Sequence, residues 1–236
     1  MNRSWRRVYG GFSAAGLLLI AVSLYCWGAK EVRGDPAEAF VLTVAGGFAL
    51  TVAGGLFSWF GISVAADVGE RGNGAALVAL AGAIFSMAIM YAGGSLGEGP
   101  SYWNNYFAGG LAILSWFLLW FLLELGGRIS VSISEERDLA TGCRMAGWFL
   151  AEGLILGRAV AGDWHSIAAT VHDWAVDGWP ALPLLATAVA IERWLRPSRS
   201  RPFPAWFGAG LLPGMGYLVV ALVWLWVKGA WEGMPR

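Results

Sequence analysis

Charge is scarce in this chain. Of 236 residues only 14% are Asp, Glu, Lys or Arg, against roughly a quarter in soluble domains. Hydrophobic residues make up 57%, and the mean hydropathy is +0.58. A water-soluble fold of this size would lack the polar surface to cover such an interior. A bilayer removes the problem, because the outer surface is then free to be apolar. The 16 basic and 16 acidic residues cancel, so no basic face is implied and nucleic acid is excluded as a partner. Cysteine is nearly absent. Cys26 and Cys143 form no disulfide or zinc framework, and the spans place them near opposite membrane faces. Nucleotide-binding glycine motifs and H-E-x-x-H are missing too. An energy source within the chain, and a cofactor, are not expected.

Long apolar runs are plentiful. A spanning helix needs about 20 mostly apolar residues. Seven candidates answer: Val8–Trp27, Phe40–Val64, Ala75–Leu96, Phe107–Leu125, Cys143–Ala161, Pro180–Leu195 and Trp206–Val227. The sixth is the shortest. The expected fold is all-α, a polytopic transmembrane bundle of about seven helices in one domain over residues 1–236, with the lipid bilayer as its first partner. Of the 15 tryptophans, Trp5, Trp27, Trp59, Trp103, Trp164, Trp174, Trp179, Trp194, Trp206 and Trp231 lie at or near the ends of these runs, where indole rings sit at headgroup level.

Basic residues choose the orientation. Arg3, Arg6 and Arg7 precede the first span, and Arg71, Arg128, Arg137, Arg196, Arg199 and Arg201 fall in alternate gaps. Lys30, Arg33, Lys228 and Arg236 fall on the other side, among acids. The amino terminus is therefore expected in the cytoplasm and the carboxyl terminus outside. The first span reads as an uncleaved anchor, because no A-x-A site follows it.

An offset of 65 residues pairs Gly61 with Gly126, Glu70 with Glu135, Asn73 with Asp138 and Ala81-Gly82 with Ala146-Gly147. It lays the second and third spans over the fourth and fifth. Each unit, about 40–96 and 107–161, has two spans, so the copies share one orientation, unlike the inverted repeats of many transporters.

The segments E-R-G-N-G-A-A-L-V-A-L-A-G from Glu70 and E-R-D-L-A-T-G-C-R-M-A-G from Glu136 resemble the signature of the YjfL-like family, bacterial inner-membrane proteins carrying domain of unknown function 350. The resemblance covers roughly Phe40 to Gly162. Asp138 stands where that family usually has Asn. The resemblance implies a bacterial inner-membrane protein with an envelope role, and it supplies no catalytic residues.

Small residues recur at four-residue spacing as Gly47, Thr51 and Gly55, as Ala79 and Ala83, as Gly82 and Ser86, and as Gly153, Gly157 and Ala161. Such spacing lets helix backbones approach closely. It predicts a compact bundle with the third and fifth spans deepest inside.

Four intramembrane polar residues are the candidate site: Glu152, Arg144, Glu124 and Arg158. Glu152 lies eight residues beyond Arg144, about 12 Å further along the helix. A charge at that depth costs at least about 2.5 kcal/mol, so Glu152 should face protein or water. It is either a hydrogen-bonded contact between helices or a cation or proton site. Arg144 and Arg158 are expected to snorkel to opposite interfaces. Glu124 meets Arg144 if the fourth and fifth spans are antiparallel neighbours. An outer-face group, Asp163, His165, His172 and Asp173, lies after the fifth span. Ile167, Val171 and Trp174 form an apolar stripe there, which predicts an interfacial helix. His165 and His172 are about 10 Å apart along such a helix, too far for one small ion, so no metal is expected.

Three functions stay open. One is small-solute or ion permeation, alone or as a membrane subunit. The second is a non-catalytic scaffold in an envelope complex, holding a cytoplasmic protein partner through the acidic linkers Asp67–Asn73 and Glu135–Asp138; a homo-oligomer is a further partner left open. The third is a lipid-modifying enzyme at the outer face.

Overall fold

The computed structural model describes residues 3–196 and 205–229, with side chains from Arg7 onward. Arg199, Arg201, Trp231 and Arg236, and the side chains of Arg3, Trp5 and Arg6, lie outside the described residues. Among those described, every regular element is helical: α1 (Arg3–Trp27), α2 (Lys30–Gly34), α3 (Pro36–Leu56), α4 (Gly74–Gly93), α5 (Tyr102–Gly127), α6 (Leu139–Ala159), α7 (Ile167–Gly178), α8 (Ala181–Leu195) and α9 (Leu212–Val227). Short π-helical turns, Val64–Glu70, Val131–Glu135 and Trp206–Leu211, lead into α4, α6 and α9.

Five helical segments are long and apolar enough to cross a membrane, or six if α7 and α8, bent by 43° at their junction, form one span. They correspond to five of the seven spans expected from sequence. The fifth, now α6, is not among those segments although it is 21 residues long. Arg144, Glu152 and Arg158 lower its hydropathy. The sixth is one arm of the bent pair.

The helix boundaries have local causes. Asp35 caps α3 by accepting from the Ala37 N–H at 2.8 Å, and Pro36 opens the helix where its missing N–H costs nothing. The helix ends in a 3-10 turn, Phe57–Phe60, closed by Gly61 at φ 80°. Asn73 caps α4 through the Ala75 and Ala76 N–H groups, at 3.0 and 3.2 Å. Asp138 caps α6 through those of Ala140 and Thr141, at 3.0 and 3.1 Å. Ahead of these caps the backbone bonds are alike. The N–H of Asn73 donates to the Asp67 carbonyl at 2.9 Å, and that of Asp138 to the Ser132 carbonyl at 2.8 Å. Gly72 and Arg137 both take the left-handed conformation, at φ 60° and 56°. Arg137 does so without glycine's freedom.

The core forms around α4 and α6. A window of 18 residues in α4 is 83% buried, against 22–39% in the other four segments, as the small-residue spacing predicts. The two helices touch backbone to backbone. A Cβ on Gly82 would come 2.5 Å from Ala146 Cα, and one on Gly142 2.6 Å from the Ala75 carbonyl oxygen. The Ser86 hydroxyl donates to the Phe149 carbonyl at 2.7 Å, and the Trp116 indole N–H reaches the same oxygen at 3.3 Å. One backbone oxygen of α6 thus ties in α4 and α5.

Tryptophan divides between two places. Trp59, Trp103, Trp179, Trp194 and Trp206 are exposed, as expected for rings at an interface. Trp116, Trp120 and Trp148 are fully buried. Trp120 packs 4.6 Å from both Phe60 and Phe149, between ring centroids, and Phe57 lies 5.6 Å away. This aromatic cluster fills the space between the end of α3, α5 and the middle of α6.

The contact between α4 and α6 yields a prediction. Gly82→Ala forces the two backbones apart and should cost about 1–3 kcal/mol, read as a lower melting temperature in detergent. Gly110→Ala, where nothing lies within 4 Å of the added methyl, should be neutral or slightly stabilising because alanine favours helix. Equal melting of both variants would show that the close approach carries no stability.

Candidate functional site: a buried polar face on α6

Helix α6 carries Thr141, Arg144, Trp148 and Glu152 on one face, spaced by three or four residues. All four are fully buried. The helix is enclosed because it touches α4, α5, α7, α8 and α9.

Arg144 does not snorkel to an interface. It is 0% exposed, and its guanidinium is held on every side. Nε donates to Glu192 Oε1 at 2.5 Å and Nη2 to Glu192 Oε2 at 2.8 Å, a bidentate pair. Nη2 also donates to the Thr141 hydroxyl at 2.8 Å, and Nη1 to the Ala209 carbonyl. Asp138 Oδ2 stands 3.9 Å away. Through this one side chain, α6 is tied to α8 and to the π-turn that opens α9. The short contact with Ala209 is possible because Gly210 has no side chain; a Cβ there would meet Ala140 Cα at 2.7 Å.

Glu124 does not meet Arg144. Its two carboxylate oxygens accept from the Ser130 backbone N–H and hydroxyl, at 2.9 and 2.6 Å. It braces the turn in which Arg128 adopts a φ of 51°. The residue that fills the expected role is Glu192 of α8, 3% exposed. Its sequence signal was faint: an acid three residues from the end of the shortest apolar run, beside Arg193, reads as a solvated helix end.

Glu152 is 0% exposed. Neither carboxylate oxygen has a hydrogen-bond partner, and no cation forms a salt bridge with it among the described residues. The Trp148 indole, one turn earlier on the same face, adjoins the carboxyl but stops short of a hydrogen bond, for its N–H is unpartnered as well. The Trp120 N–H and the Tyr217 hydroxyl are likewise buried without partners. Unpaired buried polar groups are rare and each costs free energy. Here several occur in one region of the bundle, around the middle of α6 and its neighbours α5 and α9.

Arg158 lies near the far end of α6, partly buried, 3.8 Å from Asp177. Lys228 shares that aspartate at 2.6 Å. The stripe of Ile167, Val171 and Trp174 lies on a helix, α7, capped by the Ser166 hydroxyl. Asp163 accepts from the Glu98 N–H at 2.8 Å. His165, His172 and Asp173 are exposed. Among the described residues no group of three potential ligands gathers to hold a metal ion. The acidic linkers are turned partly inward. Asp67 and Asp138 are buried, while Glu70 and Glu135 remain exposed. Asp67 accepts from the Ser63 N–H at 2.7 Å and from Arg71 at 3.1 Å.

Five or six membrane-type helical segments, several of them packed around the charged α6, define an all-α, multi-pass membrane protein. Compared with protein-family models, curated proteins and solved structures, the chain has no match.

The Arg144–Glu192 pair yields a second prediction. Glu192→Ala leaves a buried guanidinium without its counter-charge and should cost about 3–5 kcal/mol, measured by denaturation in micelles. The double variant Arg144→Met, Glu192→Leu should lose clearly less than the two single losses combined. Additive losses would mean that the two side chains act independently.

Proposed function

We propose that this protein is a permeation protein for protons or small cations, or the membrane subunit of one, and that Glu152 is the carboxyl that binds the moving charge. The observation that supports this reading is the full burial of Glu152 with no partner for either oxygen. Ionisable groups inside a membrane bundle mark ion pathways and proton relays. The two structural alternatives, an ion pair and a hydrogen-bonded contact between helices, both require a partner that is absent among the described residues. The Arg144–Glu192 pair supplies no free charge of its own, so it acts as a fixed strut beside the path.

The clefts of about 690, 670 and 580 Å³ are not lined by Glu152. The stripe Gly47, Thr51 and Gly55 lines the first of these clefts, on α3 beside α1, and takes no part in the packing of α4 on α6.

The same reading places the amino terminus in the cytoplasm of a bacterium, by the basic residues of alternate linkers. It keeps the YjfL-like resemblance and the two-helix repeat. What supports the repeat is the pair of matched linkers, each with a π-turn, a left-handed residue and an Asn or Asp cap.

Reconstitution in liposomes tests the function. Glu152→Gln keeps size and shape, so expression and melting should stay close to the parent, while proton or cation flux falls at least tenfold. Unchanged flux in a folded Glu152→Gln protein, or no flux in the parent under any ion gradient, overturns the proposal.

A further inference from the structure

At the end of the bundle where α1, α4, α6 and α9 terminate, a cleft of about 670 Å³ opens between them. Its floor is apolar, built from Leu19, Ile89, Leu154 and Leu225, one from each of these helices. Its rim carries both signs, with Lys30, Arg33 and Arg158 beside Glu98 and Asp163. Two of these three cations are already engaged. Lys30 pairs with Glu98 at 3.1 Å and Arg158 with Asp177 at 3.8 Å. Asp163, also on the rim, accepts from the Glu98 N–H. Arg33 differs. Among the described residues its guanidinium has no ion pair, and its Nε is buried without a hydrogen-bond partner.

A guanidinium donor removed from water and left unpaired is costly. Arginine presents its donors as a planar fork that suits a phosphate or carboxylate group. The apolar floor directly below the rim has no such use for a small hydrated anion, but it accommodates hydrocarbon. The two halves of the cleft therefore call for two halves of one ligand.

We propose that this cleft binds an anionic phospholipid, its phosphate on Arg33 and its acyl chain on the floor formed by α1, α4, α6 and α9. The site is separate from Glu152 and does not depend on a flux activity. A bound lipid here would bridge α1, α2 and α6, steadying the helix that carries the polar face.

The test uses the full chain in nanodiscs of phosphatidylcholine, with and without phosphatidylglycerol. Phosphatidylglycerol should raise the melting temperature and remain bound in native mass spectra. Arg33→Gln should weaken that binding by roughly tenfold to a hundredfold, the loss of one charge-assisted hydrogen bond. Leu154→Trp, which fills the floor and leaves Arg33 in place, should weaken it too. Size-exclusion profiles and helix content by circular dichroism confirm that each variant is folded, and a misfolded variant is replaced by Arg33→Lys or Leu19→Trp. Equal retention of phosphatidylcholine and phosphatidylglycerol by the parent overturns the proposal, as does undiminished phosphatidylglycerol binding in both folded variants. Inorganic phosphate or glycerol phosphate matching the lipid in affinity would assign Arg33 to a free anion and remove the acyl-chain half.

Discussion

A helix that carries Arg144 and Glu152 is tolerable inside a membrane only if protein surrounds it, and this enclosure is the constraint on which the rest of the fold depends. Each charge facing lipid would cost several kcal/mol. The chain meets the requirement by packing α4 against one side of α6 at backbone contact, and α5, α7, α8 and α9 around the remainder. Close approach on the α4 side needs Gly82, Gly142 and Gly153. On the α9 side it needs Gly210 and Gly214, whose missing side chains face Ala140 and Cys143. Glycine is costly within an ordinary helix, so its density here follows from the need to cover charge with backbone rather than with large side chains.

The enclosing helices are themselves fixed by polar contacts from the linkers. Asn73 caps α4 and donates to the Ile133 carbonyl at 2.7 Å, across to the turn before α6. Ser134 donates to the Gly61 carbonyl at 2.7 Å. The two linkers are therefore fastened to each other at one end of the bundle. That places the starts of α4 and α6 side by side, and the register that brings Gly82 over Ala146 follows. Arg144 extends the same logic to the next helix by binding the backbone of the turn that opens α9.

Much of this was legible in the sequence, because apolar length and small-residue spacing are local signals. The helices and the depth of α4 and α6 come from residues within one or two turns of each other. The partner of Arg144 was not legible. Glu124 and Glu192 are both acids near the end of an apolar run, and only the arrangement of helices decides which one reaches the guanidinium. Glu124 is withdrawn by the Ser130 turn six residues on, while the closeness of α8 to α6 brings in Glu192. The apolarity of α6 falls short of the other membrane-type segments for a related reason. Hydropathy assumes that each helix meets lipid, whereas α6 meets protein on almost every side and is free to carry charge.

The contrast between α4 and α6 bears on what the polar face is for. At the position 65 residues before Glu152 stands Met87 of α4, buried at 2% exposure. An equally central helix therefore packs well with a thioether there, so the carboxyl is not demanded by enclosure or by the geometry of a core helix. Methionine at that site would fill similar space without an unpaired polar group. A structural need for charge would also have brought a counter-charge, as it has for Arg144, whose guanidinium donors reach Glu192, Thr141 and the Ala209 carbonyl. Within one helix the fold thus treats two buried ionisable groups in opposite ways. It satisfies Arg144, which holds three elements together, and it leaves Glu152 open, which is the condition a carboxyl must meet if it is to exchange a proton or a cation with something that enters from outside.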